Sequence, residues 1–357
     1  MGERPDQQPA ASPRAHIDGP LTDGPIRVRV YGLTDVGRTR EHNEDAFVVA
    51  DLAAVEPAPP AEVSIFEANP RGLLLMVADG MGGAAAGELA SSMAVDTVTS
   101  ELQARWAETP AQDPQEFAAA LRAAVEGANT SIHAHAVRHP ALRGMGTTCT
   151  AVGLLGDTLY LAQVGDSRAY LVRTGRAVQL TKDQSLIQRL LDAGELTPEQ
   201  AETSERRNII LQALGPDPVV RVDVTAQRLC ADDLLVLCSD GLSGQLHGDQ
   251  IARLAADERG DIVRLCERLV DEANATGGPD NITVVAAQFI GGALQAPGEG
   301  DAAPRHAVFA LPPSDGDTAP RLMPAASPPR SPSRAYVAVA GFALLLALAA
   351  ALFKLLT

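Results

Sequence analysis

The amino-acid sequence predicts an α+β domain in which helices pack on antiparallel β-sheets. Apolar runs typical of strands recur between residues 27 and 290, and several are separated by gaps of hairpin length. Helical patterns stand together between groups of strands, whereas a parallel fold would alternate single strands with single helices. The strand-like runs are IRVRVYGL, AFVVA, GLLLMVAD, TTCTAVGLL, TLYLAQVGD, RAYLVR, VVRVDVTA, LLVLCSD and NITVVAAQFI, and the helical patterns cover residues 86–107, 114–138, 247–256 and 260–274.

Composition divides the chain into four parts. Residues 1–25 are rich in Pro, Asp, Gln and Gly without periodicity, which predicts a disordered leader. Residues 26–291 carry the strand and helix patterns and form the predicted domain. Residues 292–334 are rich in proline, which favours a semi-extended linker. Residues 335–356 are strongly apolar.

The apolar segment near the C-terminus predicts a single transmembrane helix. Nineteen residues, Ala335 to Phe353, carry no charge, and as a helix they span about 28 Å, close to the thickness of the hydrocarbon layer. Arg330 and Arg334 precede this segment and only Lys354 follows it. The positive-inside rule therefore favours an N-terminal domain in the cytoplasm, anchored to the inner membrane.

The charge balance excludes one class of function. The chain has 45 acidic and 29 basic side chains and a net charge of −16, which argues against non-specific binding of nucleic acid. The four cysteines form no CxxC pair. We therefore expect reduced, buried thiols rather than a disulfide framework.

Four aspartates stand at the ends of strand-like runs. Asp79, Asp166 and Asp240 each follow an apolar run beside a glycine, and Asp280 immediately precedes another run. One Asp-Gly pair on its own is a common hairpin signal. Several of them at the ends of buried strands would bring carboxylates to one rim of the sheets, where their charges repel. Such a cluster needs divalent cations.

The types of ligand indicate which cation. Carboxylates, a glycine carbonyl and waters are hard oxygen donors that suit Mg²⁺ or Mn²⁺, and no His or Cys cluster has the spacing of a zinc site. Gly80 allows a sharp turn after Asp79 and offers its carbonyl. Glu44 and Asp45 add two carboxylates near the N-terminus. Arg40 adds a guanidinium, the group best shaped to hold a phosphate.

Six motifs in this order resemble those of the metal-dependent protein phosphatases, the type 2C serine/threonine phosphatases, and above all their bacterial branch. The resemblance covers nearly all of residues 30–290 and implies a four-layer α-β-β-α sandwich of two antiparallel sheets, with metals in a cleft at one edge. The motifs are RxxNED (Arg40 to Asp45), ADGMGG (Ala78 to Gly83), GTT (Gly146 to Thr148), VGDSR (Val164 to Arg168), SDGL (Ser239 to Leu242) and GPDNITV (Gly278 to Val284).

The resemblance implies a site for two Mn²⁺ or Mg²⁺ ions. Asp79 would bridge the ions, and the carbonyl of Gly80 would bind one of them. Asp240 and Asp280 would complete the other position. Together with Arg40, these three aspartates form the catalytic set that the resemblance implies.

Three further residues, one segment and the substrate-binding role of Arg40 follow from the same resemblance. Glu44 and Asp45 would hold metal-bound waters, and Asp166 would bind a third, weaker ion. Arg40 would bind the phosphate of the substrate. The charged helical insertion at residues 183–214 matches a mobile flap beside the site.

The function implied is hydrolysis of phosphoserine and phosphothreonine in proteins. A hydroxide bridging two metal ions would attack phosphorus in line, without a covalent phospho-enzyme. The expected partners are a bacterial Ser/Thr kinase and its substrates, and the membrane through the C-terminal helix; no nucleic acid is expected.

Two positions depart from the pattern of many relatives. Met81 stands where eukaryotic members place a His proposed as general acid. His42 is a candidate for that role, and a solvent-facing loop histidine is the alternative interpretation. Gln184, in Asp-Gln-Ser, stands where many relatives have His, which affects the details of recognition by the flap. Thr197 and Pro198 within the flap are typical of a helix start.

A second hypothesis is a catalytically weak scaffold, tethered to the membrane, that binds phosphoproteins. Inactive relatives typically lose one or more metal-binding aspartates. This chain keeps Asp79, Asp166, Asp240 and Asp280, which favours the enzyme.

A third hypothesis is a dinucleotide site, because residues 80–85 fit the pattern G-x-G-x-x-A after a strand. Asp79 would then face the pyrophosphate. The acid expected about twenty residues later, Glu101, falls within a helical pattern instead. Both features argue against this hypothesis.

Overall fold

The computed structural model describes residues 24–54, 57–59, 61–107, 113–202, 204, 206, 208–298 and 304–318. The predicted transmembrane segment, residues 335–356, and all but the end of the predicted leader lie outside these residues. In the part of the chain that is described, no helix combines the length and the apolar character needed to cross a membrane.

Two antiparallel sheets form the centre of the domain. One has the order β3-β1-β12-β11-β8-β9, and the other has the order β10-β7-β6-β4-β2, with the short β5 paired to β4. The strands are β1 (Arg27–Asp35), β2 (Asp45–Asp51), β3 (Ser64–Glu67), β4 (Leu73–Met81), β5 (Gly146–Thr147), β6 (Cys149–Leu155), β7 (Thr158–Val164), β8 (Arg168–Arg173), β9 (Arg176–Gln179), β10 (Asp223–Arg228), β11 (Leu234–Cys238) and β12 (Ile282–Ile290).

Helices cover the outer faces of both sheets. The α-helices are α1 (Ala84–Ala107), α2 (Pro114–Arg138), α3 (Leu186–Asp192), α4 (Pro198–Glu202), α5 (Asp240–Ser243), α6 (Gly248–Asp257), α7 (Ile262–Ala275) and α8 (Asp315–Thr318), and a 3₁₀ turn spans Pro140–Leu142. Asp113 caps α2, with Pro114 in the first turn, where its missing N–H costs nothing.

Three apolar layers hold these elements together. One lies between α1, α2 and the β10-to-β2 sheet, one between the two sheets, and one between the other sheet and α6 and α7. The predicted α+β architecture with two antiparallel sheets flanked by helices is confirmed. Because β4 is covered on both faces, residues 73–78 are all buried, and the strand reads as a continuous apolar run instead of alternating.

The strand directions bring the predicted site residues to one rim. In the antiparallel pair β2–β4, Asp45 lies opposite Asp79. In the pair β8–β11, Arg168 at the start of β8 lies opposite Cys238 at the end of β11, two residues before Asp240. In an antiparallel pair, the end of one strand lies beside the start of the other. Aspartates from distant parts of the chain are therefore brought together.

Residues 304–318, here called the strap, pack on the domain although the sequence predicts a linker from residue 292. The amide of Ala226 donates to the carbonyl of Ala307, and that of Phe309 donates to the carbonyl of Val224. The Phe309 ring meets Tyr160 edge-on at 5.3 Å between centroids. The strap therefore covers the edge of β10, and the packed part of the chain extends beyond residue 291.

Candidate active site

Asp79 is held at the end of β4 by the two threonines of the GTT motif. The Asp79 amide donates to Thr148 Oγ1 at 2.9 Å, and its carbonyl accepts from the Thr148 amide at 2.8 Å. Thr147 Oγ1 donates to the same carbonyl. A side chain at Gly80 would collide with the carbonyl oxygens of Gly87 and Glu44, so this position requires glycine for close packing rather than for an unusual φ.

The aspartates predicted to bind metal influence one another's ionisation. Burial, followed by the charges of Asp45, Asp240 and Asp166, raises the pKa of Asp79 well above its usual range. Burial is also the main cause that raises the pKa of Asp45 to about 7 and that of Asp166 to about 8. The Asp240 pKa is raised by burial and by the charge of Asp280. These shifts indicate negative charges that are grouped without enough compensation.

Two carboxylate oxygens at this rim are buried without a hydrogen-bond partner, Asp45 Oδ1 and Asp166 Oδ1. Such atoms are costly unless a cation or a donor approaches them. Within the described ranges, no three or more His, Cys, Asp or Glu side chains already stand arranged as a metal-binding group. The donor set, oxygen only, nevertheless fits hard divalent ions such as Mn²⁺ or Mg²⁺.

Arg40 and Asp280 meet at the mouth of the site. Arg40 Nη2 donates to Asp280 Oδ2 at 2.8 Å, and about half of the arginine side chain is exposed (47%). The hydrogen bond to Asp280 raises the pKa of Arg40. An exposed guanidinium beside a carboxylate cluster is well placed for the phosphate of an incoming substrate. Among the described residues, Asp280 thus has an ion-pair partner, whereas Asp45 and Asp166 have none.

Glu44 lies deeper than Arg40, and desolvation by burial raises its pKa. Its side chain packs against Gly87, where a Cβ would collide with Glu44 Oε2. His42, the candidate general acid, is exposed, and its carbonyl accepts from Asn281. All the site residues predicted from the sequence thus lie at the same rim, with Arg40 at its mouth.

Sequence reasoning missed the side chains that hold these residues in place. Ser239 Oγ donates to Asp45 Oδ2 at 2.7 Å and accepts from the amide of Thr283. Asn281 Oδ1 accepts from the amide of Glu44 at 2.8 Å, and its Nδ2 donates to two carbonyls of the Arg40 loop region. Both residues sit directly beside a predicted metal ligand in the chain, and that adjacency is the signal that could have found them.

The insertion at residues 183–214 forms two short helices, α3 and α4. Ser185 caps α3 by accepting from the amide of Gln188. The predicted helix start at Thr197 is confirmed, because the Thr197 amide donates to Gln200 Oε1 and Thr197 Oγ1 accepts from the Gln200 amide. At the root of the insertion, Asp183 forms a bidentate ion pair with Arg168, with a shortest distance of 2.7 Å.

The four cysteines are free and buried, as their spacing predicted. Burial raises the pKa of both Cys149 and Cys238 to about 12. A thiol with such a pKa is almost entirely protonated at neutral pH and is a poor nucleophile. The site chemistry therefore rests on carboxylates and arginine.

The sequence profile of the family described as Protein phosphatase 2C matches residues 63–277. The chain belongs to this family. It has the catalytic domain of a metal-dependent protein serine/threonine phosphatase. The family assignment, together with the position of Asp79 within an acidic cluster, argues against a dinucleotide site at residues 80–85.

Two curated relatives and one solved structure illustrate the match. The serine/threonine protein phosphatase PstP of Mycobacterium tuberculosis is 40% identical over 218 residues, which are 61% of this chain and 40% of PstP. The chain thus spans less than half the length of that relative. The serine/threonine phosphatase stp of Listeria welshimeri is 36% identical over 253 residues, 71% of this chain and 92% of the relative.

The crystal structure of the catalytic domain of PstP in complex with two manganese ions superposes with a TM-score of 0.59. The two sequences are 35% identical, and the match covers 74% of this chain and 99% of the PstP domain. The fold predicted from the motifs is therefore found in relatives of known structure.

Proposed function

We propose that this protein hydrolyses phosphoserine and phosphothreonine in other proteins with the help of divalent metal ions. The observation that carries the proposal is the rim of buried, mutually repelling carboxylates beside the exposed Arg40. PstP and stp, the two relatives described above, are named serine/threonine phosphatases, which supports the same reaction.

Two Mn²⁺ or Mg²⁺ ions are the proposed cofactors, as in the manganese complex of PstP. The residues that would hold them are Glu44, Asp45, Asp79, Gly80, Asp240 and Asp280, and Asp166 is the proposed ligand of a third ion. When bound, the ions supply an acidified water as nucleophile and neutralise charge on the phosphate.

The side chains of the protein bind and orient the substrate around these ions. Arg40 would hold the phosphate oxygens, and its bond to Asp280 must then be exchanged for contacts to phosphate. The phosphoryl group is positioned by charge rather than by a covalent bond to the protein. The buried thiols, with raised pKa values, offer no route through a phosphocysteine.

The experiment that tests the proposal compares Asp240→Asn with Asp271→Asn, an exposed aspartate on α7, in the full chain. Release of phosphate from phosphothreonine peptides is measured with Mn²⁺ and with a chelator. We expect Asp240→Asn to lose metal-dependent turnover and the control to keep it. Retained binding of phosphopeptide by the wild type, without any turnover, would favour the scaffold hypothesis instead.

We also propose that residues 335–356 anchor the protein in the inner membrane, with the catalytic domain in the cytoplasm. The support is the uncharged segment Ala335 to Phe353 and the arginines before it. Fractionation of the full chain against a chain ending at residue 318 tests the anchor. Recovery of the full chain in the fraction without membranes would contradict it.

The proposed partners are phosphorylated proteins, together with the Ser/Thr kinase whose products they are. The activity class of the relatives supports phosphoprotein substrates. Incubating a phosphorylated kinase from the same cell with wild type and with Asp240→Asn tests this, because only the wild type should remove the phosphate.

A further inference from the structure

Both polar ends of the Gln184 side chain are hydrogen-bonded inside the protein. Its Oε1 accepts from the amide of Gly165 at 3.0 Å, and its Nε2 donates to Asp223 Oδ2 at 2.9 Å. Only 8% of the residue is exposed. The side chain therefore joins the first turn of the insertion to β10 and to the loop before β8.

The backbone of Gln184 joins the same parts. Its amide donates to the carbonyl of Gly165 at 2.9 Å, and its carbonyl accepts from the amide of Leu211 at the far end of the insertion. Gln184 and Gly165 are thus joined by two hydrogen bonds, one through the Gln184 side chain and one through its amide. A displacement of the root of the insertion must break these bonds or move Gly165 with it.

Gly165 is the residue before Asp166, the proposed ligand of a third ion. Residues 165–168 form a short loop, and the neighbours Asp183 and Gln184 hold it at both ends. Asp183 binds Arg168, and Gln184 binds Gly165. The backbone also passes close to Thr148 here, since Gly165 has a φ of 98° and a Cβ there would press on the Thr148 side chain.

The Asp166 carboxyl between these two attachments is itself unsatisfied. The residue is 6% exposed, and its Oδ1 is buried without a hydrogen-bond partner. A buried, unpartnered carboxylate oxygen favours binding of a cation, provided that the loop holds this oxygen close to Asp240. The position of the loop therefore decides how well that cation is held.

We propose that Gln184 is a positioning residue that couples the insertion at residues 183–214 to the Asp166 carboxylate, so that an ordered insertion strengthens binding of the third divalent ion. This inference rests on the proposed function. The coupling depends on the side-chain amide of Gln184, which donates to Asp223 and accepts from Gly165. Substitution of a side chain that orients a metal ligand typically changes metal affinity by about 10- to 100-fold.

The test uses the full chain with Gln184→Met, which keeps the length of the side chain and removes its hydrogen bonds to Gly165 and Asp223 and the longer one to the carbonyl of Gln163 at 3.4 Å. Gln188→Met is the matched control, because the Gln188 side chain bonds within the insertion to Asp192. Gln184→His at about pH 8, above the ordinary imidazole pKa of about 6.5, is the rescue, since neutral imidazole offers one donor and one acceptor.

Two readouts are measured, neither of which is activity. Mn²⁺ titration by electron paramagnetic resonance gives the binding steps, and amide exchange by NMR in metal-free protein reports on Gly165 and on residues 183–214. We expect Gln184→Met to weaken the weakest Mn²⁺ step about tenfold and to speed exchange at Gly165. The tight steps and the Gln188→Met control should stay within twofold of wild type, and Gln184→His should recover both values.

An unchanged weakest step in Gln184→Met, or unchanged exchange at Gly165, overturns the inference while leaving the proposed function intact. Absence of a weaker third step in the wild type overturns it as well. Absence of any Mn²⁺ binding by the wild type overturns both. Equal weakening of all steps in Gln184→Met would indicate general loss of structure and also contradicts a specific positioning role.

Discussion

Two groups of buried charge lie at different ends of the strands and differ in how their charge is compensated. Arg173, at the end of β8, holds Asp233 in a bidentate ion pair with distances of 2.6 and 2.8 Å. Asp233 also accepts from the Cys230 amide. At the start of β8, by contrast, Asp166 has an unpartnered oxygen and acidic neighbours.

This difference separates a structural carboxylate from a functional one. A buried carboxylate with a cation and amide donors is satisfied by the fold itself. A group of carboxylates without that compensation raises the free energy of the metal-free protein and gains most from a bound cation. A buried acidic side chain therefore does not by itself identify a functional site. The lack of a compensating cation or hydrogen-bond donor does.

The largest expected effect comes from Asp79→Asn, which removes one charge from the uncompensated group. We expect metal-dependent turnover to fall by at least about a hundredfold. The metal-free variant should melt at a higher temperature than wild type at pH 8, because repulsion with Asp45 and Asp240 is relieved. Phosphate release and thermal unfolding with a chelator measure the two quantities. Loss of turnover together with a lower melting temperature would mean that Asp79 serves the fold.

The opposite result is expected for Asp233→Asn, at the compensated end. This change leaves Arg173 buried without its counter-charge, which should destabilise the domain by about 3–5 kcal/mol. Urea unfolding measures the loss. Turnover per folded molecule should stay close to wild type, measured well below the unfolding midpoint. If Asp233→Asn were stable but inactive, the distinction between a structural carboxylate at Asp233 and functional carboxylates at the rim would be wrong.

Several features of the acidic rim could be predicted from the sequence, and others could not. Asp79, Asp166 and Asp240 stand out because an apolar run and a glycine flank each of them, which is a local signal. The contacts of Ser239 with Asp45 and of Gln184 with Asp223 join residues 194 and 39 positions apart. No local pattern encodes such pairs, since they arise from the order of strands in the sheets.

The strap illustrates a second limit of the sequence. Its proline content predicts a linker, because proline removes amide donors. Residues 304–318 are held by backbone hydrogen bonds and the Phe309 ring at the edge of β10. They are also held by contacts that no local pattern predicts: Arg122 donates to the carbonyl of Pro312, and a ring nitrogen of His306 contacts the carbonyl of Leu180. A free sheet edge accepts such a segment without any repeated pattern in it.

A smaller effect is expected when pH is changed. Asp45 and Asp166, with pKa values of about 7 and about 8, lie above the unfolded value of about 3.9. Metal-free stability should therefore fall as pH rises from about 4 to about 8, since the unfolded chain releases these protons more readily. Mn²⁺ competes with the protons, so its stabilising effect should grow over the same range.

Thermal unfolding with a chelator and with Mn²⁺, at about pH 5.5 and about pH 8, measures this trend. The compensated end provides the control, because Asp233→Asn should lower all melting temperatures while leaving their dependence on Mn²⁺ and pH unchanged. A metal effect that is equal at both pH values would show that the acidic group is already ionised in the metal-free protein, against the shifts of Asp45 and Asp166.

The smallest effect is expected for Phe309→Ala in the strap, which touches neither group of charge. Loss of the edge-on contact with Tyr160 should cost about 0.5–1.5 kcal/mol beyond the loss of buried area. Mn²⁺ affinity should not change, because the strap contacts the outer edge of β10 rather than the rim. Urea unfolding and Mn²⁺ titration of the same preparation separate the two quantities. A change in Mn²⁺ affinity would show that the edge of β10 communicates with Asp166 through Asp223, and metal binding at the rim would then depend on the strap.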